Sequence, residues 1–287
     1  MLVTYVSFLL LLLMFWASTQ LGYSLYFGHN LNITTSREPS SFMGGGLAAT
    51  EKGNVYVVWI DGNGVYFRSS QDNGSKFGTP VLLSNTKRMA SSPQIAATEK
   101  GNVYVLWSDK NNMSGDSDII LKSSTNNGEE FGSSDRLSRK NDILSLSPHI
   151  AATEKGNVYV VRADRNNMSG DSDIVFRSST RNGEEFSRNV YLNRDHDGNT
   201  TSFSPQIAAT EKGNVYVVWS ENDIQFKEIL DNGTWFSETI SMNNRMSFGF
   251  SPQVAATEKG NVYLVWVDQI NATNKHLLFK RISESFP

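Results

Sequence analysis

Apolar residues in this chain cluster in short runs such as Val55-Tyr56-Val57-Val58-Trp59, Val103-Tyr104-Val105-Leu106-Trp107 and Val215-Tyr216-Val217-Val218-Trp219. Each run is preceded by Gly-Asn and followed within two residues by Asp or Glu. Runs this short, rich in β-branched and aromatic side chains and bounded by turn residues, read as strands. Alternate positions of a strand face opposite sides, and here both sides are apolar, so each sheet must be covered on both faces. No helical periodicity of useful length occurs outside the N-terminus, and the expected fold class is all-β.

The runs belong to a repeat. The phrase Ala-Ala-Thr-Glu-Lys-Gly-Asn-Val-Tyr occurs five times, with its threonines at Thr50, Thr98, Thr153, Thr210 and Thr257, 47 to 57 residues apart. Such an interval holds four short strands, the content of one β-propeller blade. In the second copy the strands are expected at Pro93 to Thr98, Val103 to Trp107, Ile119 to Ser123 and Phe131 to Leu137, with Glu99-Lys100-Gly101-Asn102 as the first turn. Ala96 and Ala97 are small enough for the crowded axis. The blades are placed at about 41–86, 90–138, 145–193, 202–243 and 249–287 within a propeller domain spanning 24–287. The fifth copy stops after its third strand. The stretch from Asn30 to Arg37 aligns with the outer strand around Val81 to Ser84. Residues 30–37 are therefore expected to complete the last blade and remove its free edge.

The turn before each outer strand carries a resemblance. Ser70-Gln71-Asp72-Asn73-Gly74-Ser75-Lys76-Phe77 is similar to the Asp-box, or BNR repeat, of sialidase-like propellers. Ser124 to Phe131 and Ser179 to Phe186 keep Ser, Gly and Phe with Asn126 and Arg181 in place of Asp; Ile229 to Phe236 keeps Asp231 and Gly233. All four turns contain Asn-Gly, a pair suited to positive φ. The resemblance implies a propeller in which the box is structural. Sialidases of that family have six blades, which makes a six-bladed arrangement the alternative to five.

The N-terminus and composition bear on location. Leu2 to Trp16 is almost unbroken apolar sequence. It suits a signal-peptide core, and residues 1–23 together come close to the roughly 20 apolar residues of an uncleaved membrane anchor. Either reading exports the remainder. Sequons begin at Asn32, Asn73, Asn112, Asn167, Asn199, Asn232 and Asn271, as expected of an extracellular or cell-surface glycoprotein. With no cysteine, neither disulfides nor thiolate metal sites arise, and a net charge of −3 gives no basic footprint for nucleic acid.

Chemistry is sought where the copies differ or where loops share a face. Arg37, Arg88, Arg139, Arg194 and Arg245 lie in the loops leading to successive inner strands, while Asp61, Asp109, Asp164, Glu221 and Asp268 end the second strands. Converging arginines would bind a carboxylate or sulfate; the same residues paired locally would only orient loops. Blade 3 departs from its siblings with Arg162 where the others have Trp, and His149 where three have Gln. These two are candidate ligand contacts or drift within one repeat. The loops of blades 2 and 3 carry Asp109, Asp116 and Asp118, and Asp164, Asp171 and Asp173, enough oxygen donors to consider Ca²⁺ without any EF-hand spacing. No other cofactor is implied. Sialidase chemistry needs a tyrosine nucleophile with a glutamate partner; Tyr66 and Tyr191 lack that setting, and the repeat tyrosines read as core. The expectation is a non-catalytic, exported or membrane-anchored propeller binding glycans or acidic surface polymers, with a divergent exo-α-sialidase as the rival. The sequence leaves the oligomeric state open.

Overall fold

The computed structural model describes residues 28–34, 42–62, 64–111, 115–138, 144–165, 171–193, 201–242, 248–271 and 273–283. The chain divides into two compact units, Met1–Ile33 and Thr34–Pro287. In the first, residues 28–33 carry no strand and the hydrophobic segment lies outside the described residues. No helix among the described residues is long and apolar enough to cross a membrane.

The second unit is a β-propeller of five antiparallel blades. Blade 1 comprises β1 (Phe42–Ala49), β2 (Val55–Asp61), β3 (Gly64–Ser70) and β4 (Val81–Leu82). Blade 2 comprises β5 (Met89–Ala97), β6 (Val103–Lys110), β7 (Ser117–Ser124) and β8 (Asp135–Arg136). Blade 3 has β9 (Leu144–Ala152), β10 (Val158–Arg165), β11 (Ser172–Ser179) and β12 (Val190–Tyr191). Blade 4 has β13 (Phe203–Ala209), β14 (Val215–Glu221), β15 (Asp223–Leu230) and a split outer edge, β16 (Trp235–Phe236) and β17 (Ile240–Ser241). Blade 5 has three strands, β18 (Phe248–Ala256), β19 (Val262–Gln269) and β20 (Lys275–Ile282).

One expectation is corrected. The inner strands start earlier than the repeat phrase implies, at Met89 in blade 2, because a β-bulge carries the ladder past Pro93. Of the stretch expected to close the last blade, residues 30–34 carry no strand of their own and 35–37 lie outside the described residues. The outer strands of blades 1 to 3 are only two-residue ladders.

Packing follows the two-faced apolar strands. One face of blade 1, with Tyr56, Val58, Ile60, Val65 and Phe67, meets Val103, Val105 and Trp107 of blade 2. Blade 2 offers Tyr104, Leu106, Ile119 and Leu121 to Val158 and Val160 of blade 3, and two further clusters join blades 3 to 4 and 4 to 5. Four of the five repeat tyrosines are buried, and burial pushes Tyr104 and Tyr159 up to about 12, as befits core residues. The box turns work as expected. Asn73, Asn127, Asn182 and Asn232 and the glycines after them all have positive φ. Asp72 Oδ1 accepts from Ser70 Oγ (2.6 Å) and Lys76 N (2.9 Å), and Asn126 makes the same pair of contacts at 2.7 and 3.0 Å. Asn thus replaces Asp here without loss of the turn.

Candidate functional site

The inner strands begin, and the second strands end, at one mouth of the propeller. A bulge shapes each inner strand there. Ser92, Ser147, Ser204 and Ser251, each before a proline, have φ between 48 and 53°, and Gly44 holds the corresponding place in blade 1 at 71°. The ladder slips at each of these points. Bulges re-aim the side chains beside them.

The residues preceding the bulge form an apolar rim. Met89, Leu146 and Phe248 are 44, 38 and 42% exposed. Phe203 and Phe248 stack across blades 4 and 5 with centroids 6.2 Å apart, Phe250 lies 6.3 Å from Phe248, and Lys275 Nζ stands 5.4 Å over the Phe250 ring. Sequence reasoning passed over this platform. Its signal was Phe-Ser-Pro at Phe203 and Phe250, where blades 2 and 3 have Ser91 and Leu146.

The charged residues of the same mouth are engaged locally. Arg88 forms an ion pair with Asp109 through Nε (2.9 Å) and donates to Asp118 through Nη2 (3.0 Å), and Arg136 takes the other oxygen of Asp118 at 2.7 Å. Burial pushes the Asp109 carboxyl up, Arg88 pulls it back, and neighbouring Asp118 adds to the rise. Arg88 is thus a partner of two carboxylates; Arg37, Arg139, Arg194 and Arg245 lie outside the described residues. Glu221 accepts from Ser202 Oγ (2.7 Å), Asn193 Nδ2 (3.0 Å) and Trp219 Nε1 (2.8 Å).

Arg162 is fully buried and donates through Nε and Nη2 to Asp164 at 2.7 and 2.8 Å. Ser145 Oγ donates to the same carboxylate at 2.7 Å. In blade 4 the residue at the Arg162 position, Trp219, donates its indole N–H to Glu221, also two positions on. Arg162 therefore repeats a contact that the tryptophan makes. His149 is half-buried, but its Nδ1 is enclosed without a hydrogen-bond partner, and burial pushes the imidazole down to about 4. Neither residue opens onto a described cavity.

Of the calcium candidates, Asp109, Asp118 and Asp164 are held by arginines, and Asp116, Asp171 and Asp173 are half-buried. Among the described residues no group of three or more acidic or histidine side chains is placed to hold a metal ion. Among the sequons, Asn32, Asn73 and Asn271 are exposed, and Asn271 Oδ1 caps its own turn, accepting from Thr273 N and Asn274 N. Asn232 is different: its Oδ1 accepts from Asn157 Nδ2 (2.7 Å) and Tyr159 OH (3.4 Å) of blade 3, which holds the carboxamide in a blade junction. Asn112, Asn167 and Asn199 lie outside the described residues.

No protein-family model matches the chain, and no curated protein matches its sequence. Solved structures do resemble it. An α-L-arabinanase of Penicillium chrysogenum, in complex with arabinobiose, superposes with a TM-score of 0.58 at 12% identity, covering 84% of this chain and 81% of the other. An α-L-arabinofuranosidase of Fusarium graminearum gives 0.57 at 12% identity over 86% and 82%, and an intramolecular trans-sialidase of Ruminococcus gnavus gives 0.58 at 12% over 85% and 81%. At this identity the likeness establishes the propeller fold alone.

Proposed function

We propose that the chain is a non-catalytic, exported or membrane-anchored propeller that binds glycans or other carbohydrate polymers at the cell surface. The observation that carries this reading is the aromatic platform of exposed Phe248 with half-buried Phe203 and Phe250, beside Lys275 at the mouth of the blades. Flat aromatic faces take up the apolar C–H faces of sugar rings, and a cation beside them favours an acidic sugar. The carboxylates that would otherwise serve as acid and base, Asp109, Asp164 and Glu221, are tied to arginines or hydrogen-bond donors of their own blades. The solved propellers of like fold include carbohydrate-active enzymes by their names, which supports a glycan ligand and keeps a divergent exo-α-sialidase or related glycoside hydrolase as the rival. Export is supported by the apolar N-terminal segment and the exposed sequons Asn73 and Asn271.

Screening the full chain in detergent on a glycan array, beside fluorogenic sialoside and arabinoside assays, tests the reading. Binding should fall by about tenfold or more on Phe248→Ala, because a central aromatic anchor carries a large share of such contacts. Hits that ignore Phe248→Ala would remove the platform from the site. Turnover that survives purification would replace the binding module with an enzyme.

A further inference from the structure

The turn that joins β19 to β20 stands beside the aromatic platform and carries the sequon that begins at Asn271. We propose that Asn271 bears an N-linked oligosaccharide that lies over Phe203, Phe248 and Phe250 and competes with outside glycans for them, a role that rests on the glycan-binding reading of the platform given above.

Sheet register places the turn. Phe248 pairs with Gln269, and Gln269 with Lys275, so an aromatic residue, a carboxamide and an ammonium share one row across β18, β19 and β20. Lys275 Nζ stands 5.4 Å from the centre of the Phe250 ring. The chain reverses directly beyond that row: Ile270 N donates to Asn274 O at 3.0 Å, and Asn274 N to Asn271 O at 3.4 Å. Asn271 is two residues past Gln269 and one strand away from Phe248, roughly 7 Å along the sheet and about 5 Å across it. A few linked sugars span that distance.

The same turn presents its amide for modification. Asn271, Thr273, Asn274 and Lys275 are all exposed. Asn271 Oδ1 accepts from Thr273 N (3.1 Å), Thr273 Oγ1 (3.1 Å) and Asn274 N (2.9 Å), which fixes the carboxamide and leaves Nδ2 without a hydrogen-bond partner among the described residues. The hydroxyl of the sequon therefore already rests on the amide that is to react. Asn232 is the contrast, since its carboxamide is engaged by Asn157 and Tyr159 of blade 3. Transfer joins Nδ2 to the anomeric carbon of a lipid-phosphate-linked oligosaccharide. The C–O bond to phosphate breaks, the phosphate leaves with the bonding pair, and one Nδ2 proton passes to solvent.

A glycan held there is a tethered ligand of the chain's own platform. Short flexible tethers give effective concentrations of about millimolar order. Sugar rings offer apolar C–H faces to aromatic rings, so the attached glycan covers Phe248 and its neighbours for part of the time and an outside glycan must displace it. The apparent affinity for outside glycans falls with the fraction of platform left uncovered. The bare chain is the open form and the modified chain the shielded one, so occupancy of Asn271 sets how strongly the mouth binds.

The test compares full-length protein, in detergent, from a glycosylating host and from a bacterial host that adds no glycan. The tryptic peptide from Gly260 to Lys275 contains a single sequon, so its mass reports Asn271 alone. An oligosaccharide is expected on that peptide. Removing it by Thr273→Val, which keeps both backbone donors of the turn, or by Asn271→Gln should tighten binding of the array ligands about threefold or more. In bacterial protein the same substitutions should change nothing. The glycan should also slow labelling of Lys275 by an amine reagent about threefold or more, a readout that needs no outside ligand. A bare peptide from the glycosylating host would overturn the proposal, as would an occupied Asn271 that alters neither affinity nor Lys275 labelling. Slowed labelling with no array ligand for any preparation would keep the glycan cover and remove the proposed function instead.

Discussion

Arg162 shows how a single side chain can look functional in sequence and be structural in place. A guanidinium with no exposed surface needs a fixed counter-charge, and Asp164 supplies one bidentately. His149 is the more consequential oddity of blade 3. Its imidazole titrates at about 4 when folded, against 6.5 for an unburied histidine, because burial penalises the cation. The unfolded chain therefore binds the proton more readily between those values, so the stability this group confers is complete above pH 6.5 and is lost as pH falls toward 4. The total approaches about 3 kcal/mol. His149→Gln, which installs the residue of the other blades, should flatten the urea midpoint between pH 7 and 4.5; an unaltered acid dependence would place the sensitivity elsewhere.

At the scale of elements, the box turns and the bulges decide how blades meet. Gly128 has a φ of 79°, and a Cβ there would overlap the ring of Phe67 in blade 1. Gly128→Ala should then cost roughly 2–4 kcal/mol through backbone strain and overpacking, measured by denaturant unfolding. Phe67→Leu/Gly128→Ala should recover part of that loss, whereas a cost unchanged by the second substitution would assign it to the turn alone. Most of this level was legible beforehand. Asn-Gly announced the positive-φ turns, and the runs from Val103 and Val215 announced strands apolar on both faces. The Ser-Pro bulges were not legible, because Ser92 in a left-handed conformation before Pro93 has no propensity signal. The aromatic platform stayed hidden for the same reason, since Phe248 and Phe203 sit beyond those bulges. Arg88 was readable only as one of two alternatives; its double pairing with Asp109 and Asp118 depends on the loop's path, not on residue type.

At the scale of the whole molecule, the fivefold repeat told the architecture plainly, because each copy of the phrase marks the inner hairpin of one blade. In a repeat array each blade draws stability from its neighbours, and the terminal units are the weakest. Blade 5 is the extreme case. Among the described residues it has three strands with β20 at the edge, and Leu277 and Phe279 are exposed. Amides of β20 bonded to β19 should therefore exchange at least about tenfold faster than those of β7 and β11, since local opening there exposes little surface that is not already exposed. Mass-spectrometric exchange on dilute protein measures this gradient. Uniform protection across all five blades would mean that β20 is covered as well as the inner strands, and the gradient would have to be abandoned.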